Sequence, residues 1–228
     1  MSDNQLKGIF WRGDFDDYYL GHQFSEIFKD RIYKPYLEHL KDPVVIDLGA
    51  NIGLFTLYAS KYAKQVYSIE PSLEHFDLLR TMIRSNNLTN VTPIKSAIWI
   101  ENKQMPFFHN KNKTMYSLHM AVNDGSSQEE MVDGMTFDRL FNEYKIEHVD
   151  LLKADIEGSE YELFASEGFK KIANKVDTIM GEAHVWANRN PNQLKDAFQN
   201  NGFDFKWLQH EAQIFVAINK NAQRRSII

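Results

Sequence analysis

The stretch "VVIDLGANIGLFTLYAS", Val44 to Ser60, constrains this chain more than any other. Five largely apolar residues end in Asp47 and Leu48, a turn follows with glycines at 49 and 53, and helical apolar spacing begins at Leu54. A continuous apolar run of this kind is the pattern of a parallel strand buried on both faces, and a parallel strand needs a crossover helix to reach its neighbour. The rest of the chain repeats the alternation. Strands are expected at "QVYSIE", "VTPIKSAIWI", "VDLLKADI" and "VDTIMGEAH". Helices are expected over 54–63, from Pro71 at a helix start through "LEHFDLLRTMIRSNN", over "FDRLFNEY", over "SEYELFASEGF", and over "PNQLKDAFQNNG" with its closing glycine cap. "FDFKWLQ" and "AQIFVAINK" leave no room for a helix between them and predict an antiparallel pair at the sheet edge. The expectation is a doubly wound α/β sheet with helices on both faces and its ligands at the carboxyl ends of the strands.

With no internal repeat and no Pro/Gly-rich linker, 228 residues fit a single domain. Within it, residues 1–42 form an N-terminal cap, 43–220 a core, and 101–134 an insert of short antiparallel strands around an "HNKNK" turn, with a polar "NDGSSQEE" loop after them. The net charge of -5 gives no global field to gather nucleic acid. The absence of cysteine removes disulfides, thiolate zinc sites and cysteine nucleophiles together. No run approaches the ~20 apolar residues of a membrane span, and the N-terminus does not read as a signal peptide. A soluble protein of the cytoplasm, or of a host's cytoplasm, is the expectation; the oligomeric state is not readable.

Candidate site residues fall where strands end. "DLGANIG" spaces its glycines as Gly-x-Asn-x-Gly, with Leu54 where a dinucleotide fingerprint needs glycine, and no Gly-Lys-Ser/Thr follows to make a P-loop. The turn offers backbone N–H groups and a helix N-terminus to a polar ligand, or it simply closes a strand-to-helix connection. Glu70 ends the second strand 23 positions after Asp47, near the ~20-residue offset of a ribose-binding acid. Two carboxylates at adjacent strand ends disfavour a polyphosphate and suit a nucleoside with a cationic tail. "LLKADIEGSE" brings Lys153, Asp155 and Glu157 to one side of a strand end, either as a structural ion pair or as a site. In "IMGEAH", Glu182 and His184 are in phase, and His184 is a general-base candidate because an ordinary imidazole titrates near neutrality. Asp155, Glu182 and His184 also make an oxygen-rich set that could take a divalent metal.

These segments together, "VVIDLGANIGLFTLYAS", "VYSIEPS", "TFDRLF", "VDLLKADIEGSEYELF" and "IMGEAH", in this order, resemble the FkbM family of S-adenosylmethionine-dependent methyltransferases over roughly residues 44 to 184. The resemblance implies a seven-stranded, mostly parallel, Rossmann-like class I sheet with its last strand antiparallel, and methyl transfer to an oxygen. It places Asp47, Gly49, Asn51 and Gly53 around the methionine portion of the donor and Glu70 on its ribose. Ser96 and Ala97 of "KSAI" would border adenine, where related folds often carry an acid. Asp155 falls near the sulfonium with Glu157 on the donor side, and His184 near the acceptor. Lys153, Asp155, Glu182 and His184 are the catalytic candidates. The aromatic and acidic "IFWRGDFDDYYLGHQF", the 107–120 insert and "HVWANRNP" are candidate walls for a small-molecule or glycan acceptor. Two other readings stand beside this one. A nucleic-acid methyltransferase is disfavoured by "DIEG" where amino-methylating enzymes carry Asn/Asp-Pro-Pro-aromatic, and a non-catalytic binding module is disfavoured by the intact Glu70 and Asp155.

Overall fold

The computed structural model describes residues 21, 23–109, 116–117, 128–184, 189–209 and 213–225. Among them, the central sheet has seven strands in the order β10-β11-β9-β8-β1-β2-β3. These are β1 (Val44–Leu48), β2 (Gln65–Ile69), β3 (Val91–Ile94), β8 (Val149–Ala154), β9 (Val176–Glu182), β10 (Phe203–Gln209) and β11 (Ile214–Asn219). Strands β3, β2, β1, β8 and β9 pair in parallel, while β11 inserts antiparallel between β9 and β10. Chain order reverses between β1 and β8, so their carboxyl ends flank the crevice where α/β sheets bind ligands.

Side-chain alternation divides the core by sheet face. Val45, Val66, Leu151, Met180 and Val216 pack on one face with the helix Leu54–Ala59 and the segment carrying Ile27, Phe28, Tyr33 and Leu37. Ile46, Leu48, Ile69, Leu152, Ala154 and Ile179 pack on the other with helices 137–143, 160–165, 167–172 and 191–200. The N-terminal segment is tied on by aromatic contacts, Tyr33 to Phe55 at 4.5 Å and Phe28 to Tyr58 at 5.8 Å. Glu38 accepts the hydroxyls of Tyr58 at 2.8 Å and Tyr62 at 3.1 Å.

Several element boundaries differ from the sequence expectation, each for a local reason. "VTPIKSAIWI" is two strands, because the chain leaves the main sheet after Ile94 and resumes as β4 (Ala97–Ile98). β4 belongs to a second sheet of order β4-β7-β5-β6, with β5 at Gln104–His109, β6 at Tyr116–Ser117 and β7 at Gln128–Met135. Gln128 to Glu130 therefore belong to a strand and not to the polar loop expected there. Residues 110–115 of the expected turn lie outside the described residues. Pro71 is not the first helical residue: Ser72 is the extended N-cap and the helix runs Leu73–Ser85. The first helix ends at Ala59. The helix expected over 159–169 breaks at Ser166, whose extended backbone ends Glu160–Ala165 and whose Oγ caps Glu167–Ile172 by accepting the Phe169 N–H at 3.1 Å.

Candidate functional site

The glycine turn is fastened to the end of β2. Gly49 and Ala50 both donate their N–H to the Ile69 carbonyl, at 3.1 and 2.9 Å, Gly53 donates to the Ala50 carbonyl at 2.8 Å, and Asn51 donates to Glu70 Oε2 at 2.8 Å. These N–H groups are spent inside the protein, so they do not form the open anion cradle the sequence allowed for. Gly49 is required for another reason: its φ is +72°, and a Cβ there would sit 1.9 Å from the Asp155 carbonyl oxygen. Asn51 takes φ +51°, the left-handed region that Asn tolerates better than most residues. It is therefore a turn residue that positions Glu70 through its backbone.

Glu70 is almost fully buried and accepts two backbone N–H groups, Asn51 on Oε2 and Ser72 on Oε1 at 2.9 Å. Burial pushes its pKa up to about 7, against the pull of those bonds and of Lys153. Each oxygen retains acceptor capacity toward the cleft. The cleft, about 650 Å³ counting the part open to solvent, is lined by Leu48, Gly49, Asn51, Glu70, His75, Ser96, Ala97, Ile98, Phe107, Asp155, Ile156 and Glu157, among others. Ser96 is held in place by donating to the Asp133 carbonyl at 2.7 Å. Ile98 belongs to the "KSAI" segment expected beside adenine, Phe107 was expected as an acceptor wall, and His75 was not among the expected site residues. Phe107 reaches this cleft from the inserted sheet.

Lys153 and Asp47 are register partners on β8 and β1, on the face toward the N-terminal segment. The ammonium lies 3.4 Å from Asp47 Oδ1 and 3.5 Å from Asp155 Oδ2, and donates to the Gly49 carbonyl at 3.1 Å. Burial works against its charge, but Asp47 and Asp155 outweigh burial and hold its pKa above the usual lysine value. It touches a smaller cavity with Glu26, Tyr33, Phe55 and Asp155, beside the main cleft. Held by these contacts, it braces the underside of the glycine turn.

β8 ends at Ala154, and Glu157, at φ +53°, turns back toward His184 instead of continuing the extended line of Lys153 and Asp155. His184 Nε2 faces Glu157 Oε2 at 3.4 Å and Asp155 Oδ1 at 3.9 Å, while Nδ1 lies 3.0 Å from Glu160 Oε1. Burial alone would lower the imidazole pKa, yet Glu160, Glu157 and Asp155 outweigh it and hold it well above the ordinary value. Three carboxylates thus surround the imidazole and favour its charged form. Burial in turn pushes the Glu157 carboxyl above the carboxylate range. Glu182 is exposed at the end of β9, and burial of its carboxyl together with nearby Asp155 pushes its pKa up to about 7; the donor atoms within metal-binding reach of one another are those of Asp155, Glu157 and His184. Most of the N-terminal aromatic stretch, residues 118–120 of the insert, and 185–188 of "HVWANRNP" lie outside the described residues.

A central sheet of this order, with an antiparallel strand inserted beside its last parallel one and a cleft at the β1, β2 and β8 ends, defines a Rossmann-like class I methyltransferase fold. The same fold occurs in a precorrin-6y C5,15-methyltransferase from Geobacter metallireducens GS-15, at TM-score 0.51 and 11% identity over 83% of this chain and 86% of that one. It occurs also in a methyltransferase FkbM from Methylobacillus flagellatus KT, at TM-score 0.53 and 15% identity over 89% of this chain and 55% of that one. Residues 47–205 match the Methyltransferase FkbM domain, and the chain belongs to that family. It is 27% identical over 173 residues to methyltransferase sdnD of Sordaria araneosa, covering 61% of this chain and 66% of that relative's length. Among the described residues, no helix is long and apolar enough to cross a membrane.

Proposed function

We propose that this chain is an S-adenosylmethionine-dependent O-methyltransferase acting on a hydroxyl of a small-molecule or glycan acceptor. The observation that carries this reading is Glu70. A buried carboxylate, pre-aligned by two backbone N–H groups, opens on a cleft whose other end is apolar at Ala97, Ile98 and Phe107. That pairing suits a nucleoside, with ribose hydroxyls on Glu70 and a base against the apolar end. The opposite end of the cleft carries Asp155 and Glu157, which favour a cationic tail over a phosphate. The close approach of Gly49 to the Asp155 carbonyl leaves room for a ligand where a larger residue would push the turn away.

Bound there, the cofactor would supply a methyl group already activated on a sulfonium, so no covalent intermediate with the protein is required. The chain's own tasks are alignment, exclusion of water and removal of one proton. Asp47 and Lys153 fix the turn, and Glu70 fixes the ribose end. Asp155, which lines the cleft with His184 3.9 Å behind it, is placed to receive the acceptor's proton. The acceptor would enter beside Asp155, where the smaller cavity adjoins the cleft.

The test is S-adenosylhomocysteine release over a panel of sugars, hydroxylated small molecules and short RNA and DNA. Turnover confined to hydroxyl acceptors supports the reading, and turnover on nucleic acid alone would replace it.

A further inference from the structure

Among the described residues, four carboxylates, Asp47, Asp155, Glu157 and Glu160, cluster with two cationic side chains, Lys153 and His184. Glu160 has no exposed surface, and its Oε2 is buried without a hydrogen-bond partner among the described residues. Excess buried negative charge is costly, and groups of this kind persist where a cation compensates them.

The geometry names the place for that cation. One donor atom from each of Asp155, Glu157 and His184 lies within 4.8 Å of the other two. The spacings from His184 Nε2 are 3.4 Å to Glu157 and 3.9 Å to Asp155, against about 3.0–3.4 Å between neighbouring ligands of an ion with bonds of about 2.1 Å. On the His184 side, closing that gap takes a shift of about half an ångström, within rotamer adjustment. The far ring nitrogen faces buried Glu160, which also accepts the Ile156 N–H at 3.0 Å. A carboxylate behind a histidine is the arrangement that orients a metal-ligating imidazole and sets its tautomer.

We infer that Asp155, Glu157 and His184 bind one divalent cation of mixed nitrogen and oxygen preference, with Mn²⁺ the representative ion, and that Glu160 positions His184 for it. Imidazole with two carboxylates suits first-row ions of this type better than Ca²⁺. The site opens on the donor cleft through Asp155 and Glu157. Its role, which rests on the methyl-transfer reading, is to hold the acceptor oxygen and lower its pKa, with the cation taking the place of the imidazole proton on His184 Nε2. Its existence does not depend on that reading.

The experiment titrates Mn²⁺ into chelator-stripped protein, followed by electron paramagnetic resonance and calorimetry. Expected are one site per chain and nitrogen modulation from the imidazole in the wild type. Binding should weaken at least tenfold in Glu157→Gln and His184→Gln, and about tenfold in Glu160→Gln, with circular dichroism and melting curves verifying the fold. A second histidine-carboxylate group, His148, Asp150 and Asp177, lies at the amino ends of β8 and β9, so His148→Gln should leave the stoichiometry unchanged. No binding at millimolar Mn²⁺, no nitrogen modulation, or binding that survives in both ligand variants overturns the inference. S-adenosylmethionine calorimetry on the same samples separates the two proposals: donor binding without Mn²⁺ binding sinks this one alone, and the reverse sinks the functional reading alone.

Discussion

Replacing Lys153 by methionine tests whether that side chain is a brace or a catalyst. The substitution keeps the aliphatic volume and removes the charge. Asp47, which has no exposed surface, then keeps only the Thr56 hydroxyl at 2.6 Å as a close partner, and Asp155 loses its cation at 3.5 Å. Removing one partner of a buried ion pair costs about 3–5 kcal/mol, because the remaining charge stays buried and uncompensated. At about 2–4 °C per kcal/mol for a chain of this size, the melting temperature should fall by about 6–20 °C. The Gly49 carbonyl also loses its 3.1 Å donor, so the glycine turn should loosen and donor affinity should drop with stability. Differential scanning calorimetry reads the loss. The double variant Asp47→Asn/Lys153→Met, which removes both members of the pair, should recover at least half of it. A Lys153→Met protein that melts within 2 °C of wild type while losing methyl transfer would refute the structural assignment and restore Lys153 as a catalytic group.

Glu70 predicts a pH signature. Its folded pKa is raised from 4.5 to about 7, so the native state binds the extra proton between those values. Stability contributed by this group is fully present below the unfolded pKa and is lost as pH rises through the folded one, about 3 kcal/mol in all. Melting curves from pH 4.5 to 7.5 should show wild type losing stability relative to Glu70→Gln; parallel curves would contradict the shift. Gly49→Ala must place a Cβ 1.9 Å from the Asp155 carbonyl at φ +72°, so chemical denaturation should register a loss of at least about 2 kcal/mol; a neutral result would mean the turn has another shape. Phe198→Ala empties a fully buried position whose ring meets Phe164 at 4.7 Å and Phe215 at 5.3 Å. It should cost about 3–5 kcal/mol in denaturant titration while leaving donor affinity of the folded protein intact.

The sheet was legible because burial on both faces writes itself into apolar runs, and "VVIDL", "VDLLKA" and "VDTIM" are such runs. The strand ends followed from it, and with them Asp47, Glu70 and Asp155. What the pattern did not carry was anything fixed by departures from it. Glu157 leaves the strand's alternation through a left-handed residue, so extended spacing mistook its direction. Glu182 keeps that alternation and is exposed. The base assigned to His184 followed from an isolated imidazole, whereas three carboxylates surround it. Glu160 sits in the first turn of its helix, where an acid is ordinary, and only tertiary contact shows it behind His184. The short β4 was hidden inside a longer apolar segment, because a change of sheet at Lys95 and Ser96 leaves no mark in hydrophobicity.

The central claim is that the cleft between the glycine turn and Glu70 holds S-adenosylmethionine. Isothermal titration of the wild type and of Glu70→Ala with S-adenosylmethionine tests it most directly. One site per chain, weakened at least tenfold in the variant while the fold is preserved, is the predicted result. No heat at millimolar cofactor, or equal affinity in both proteins, would contradict it.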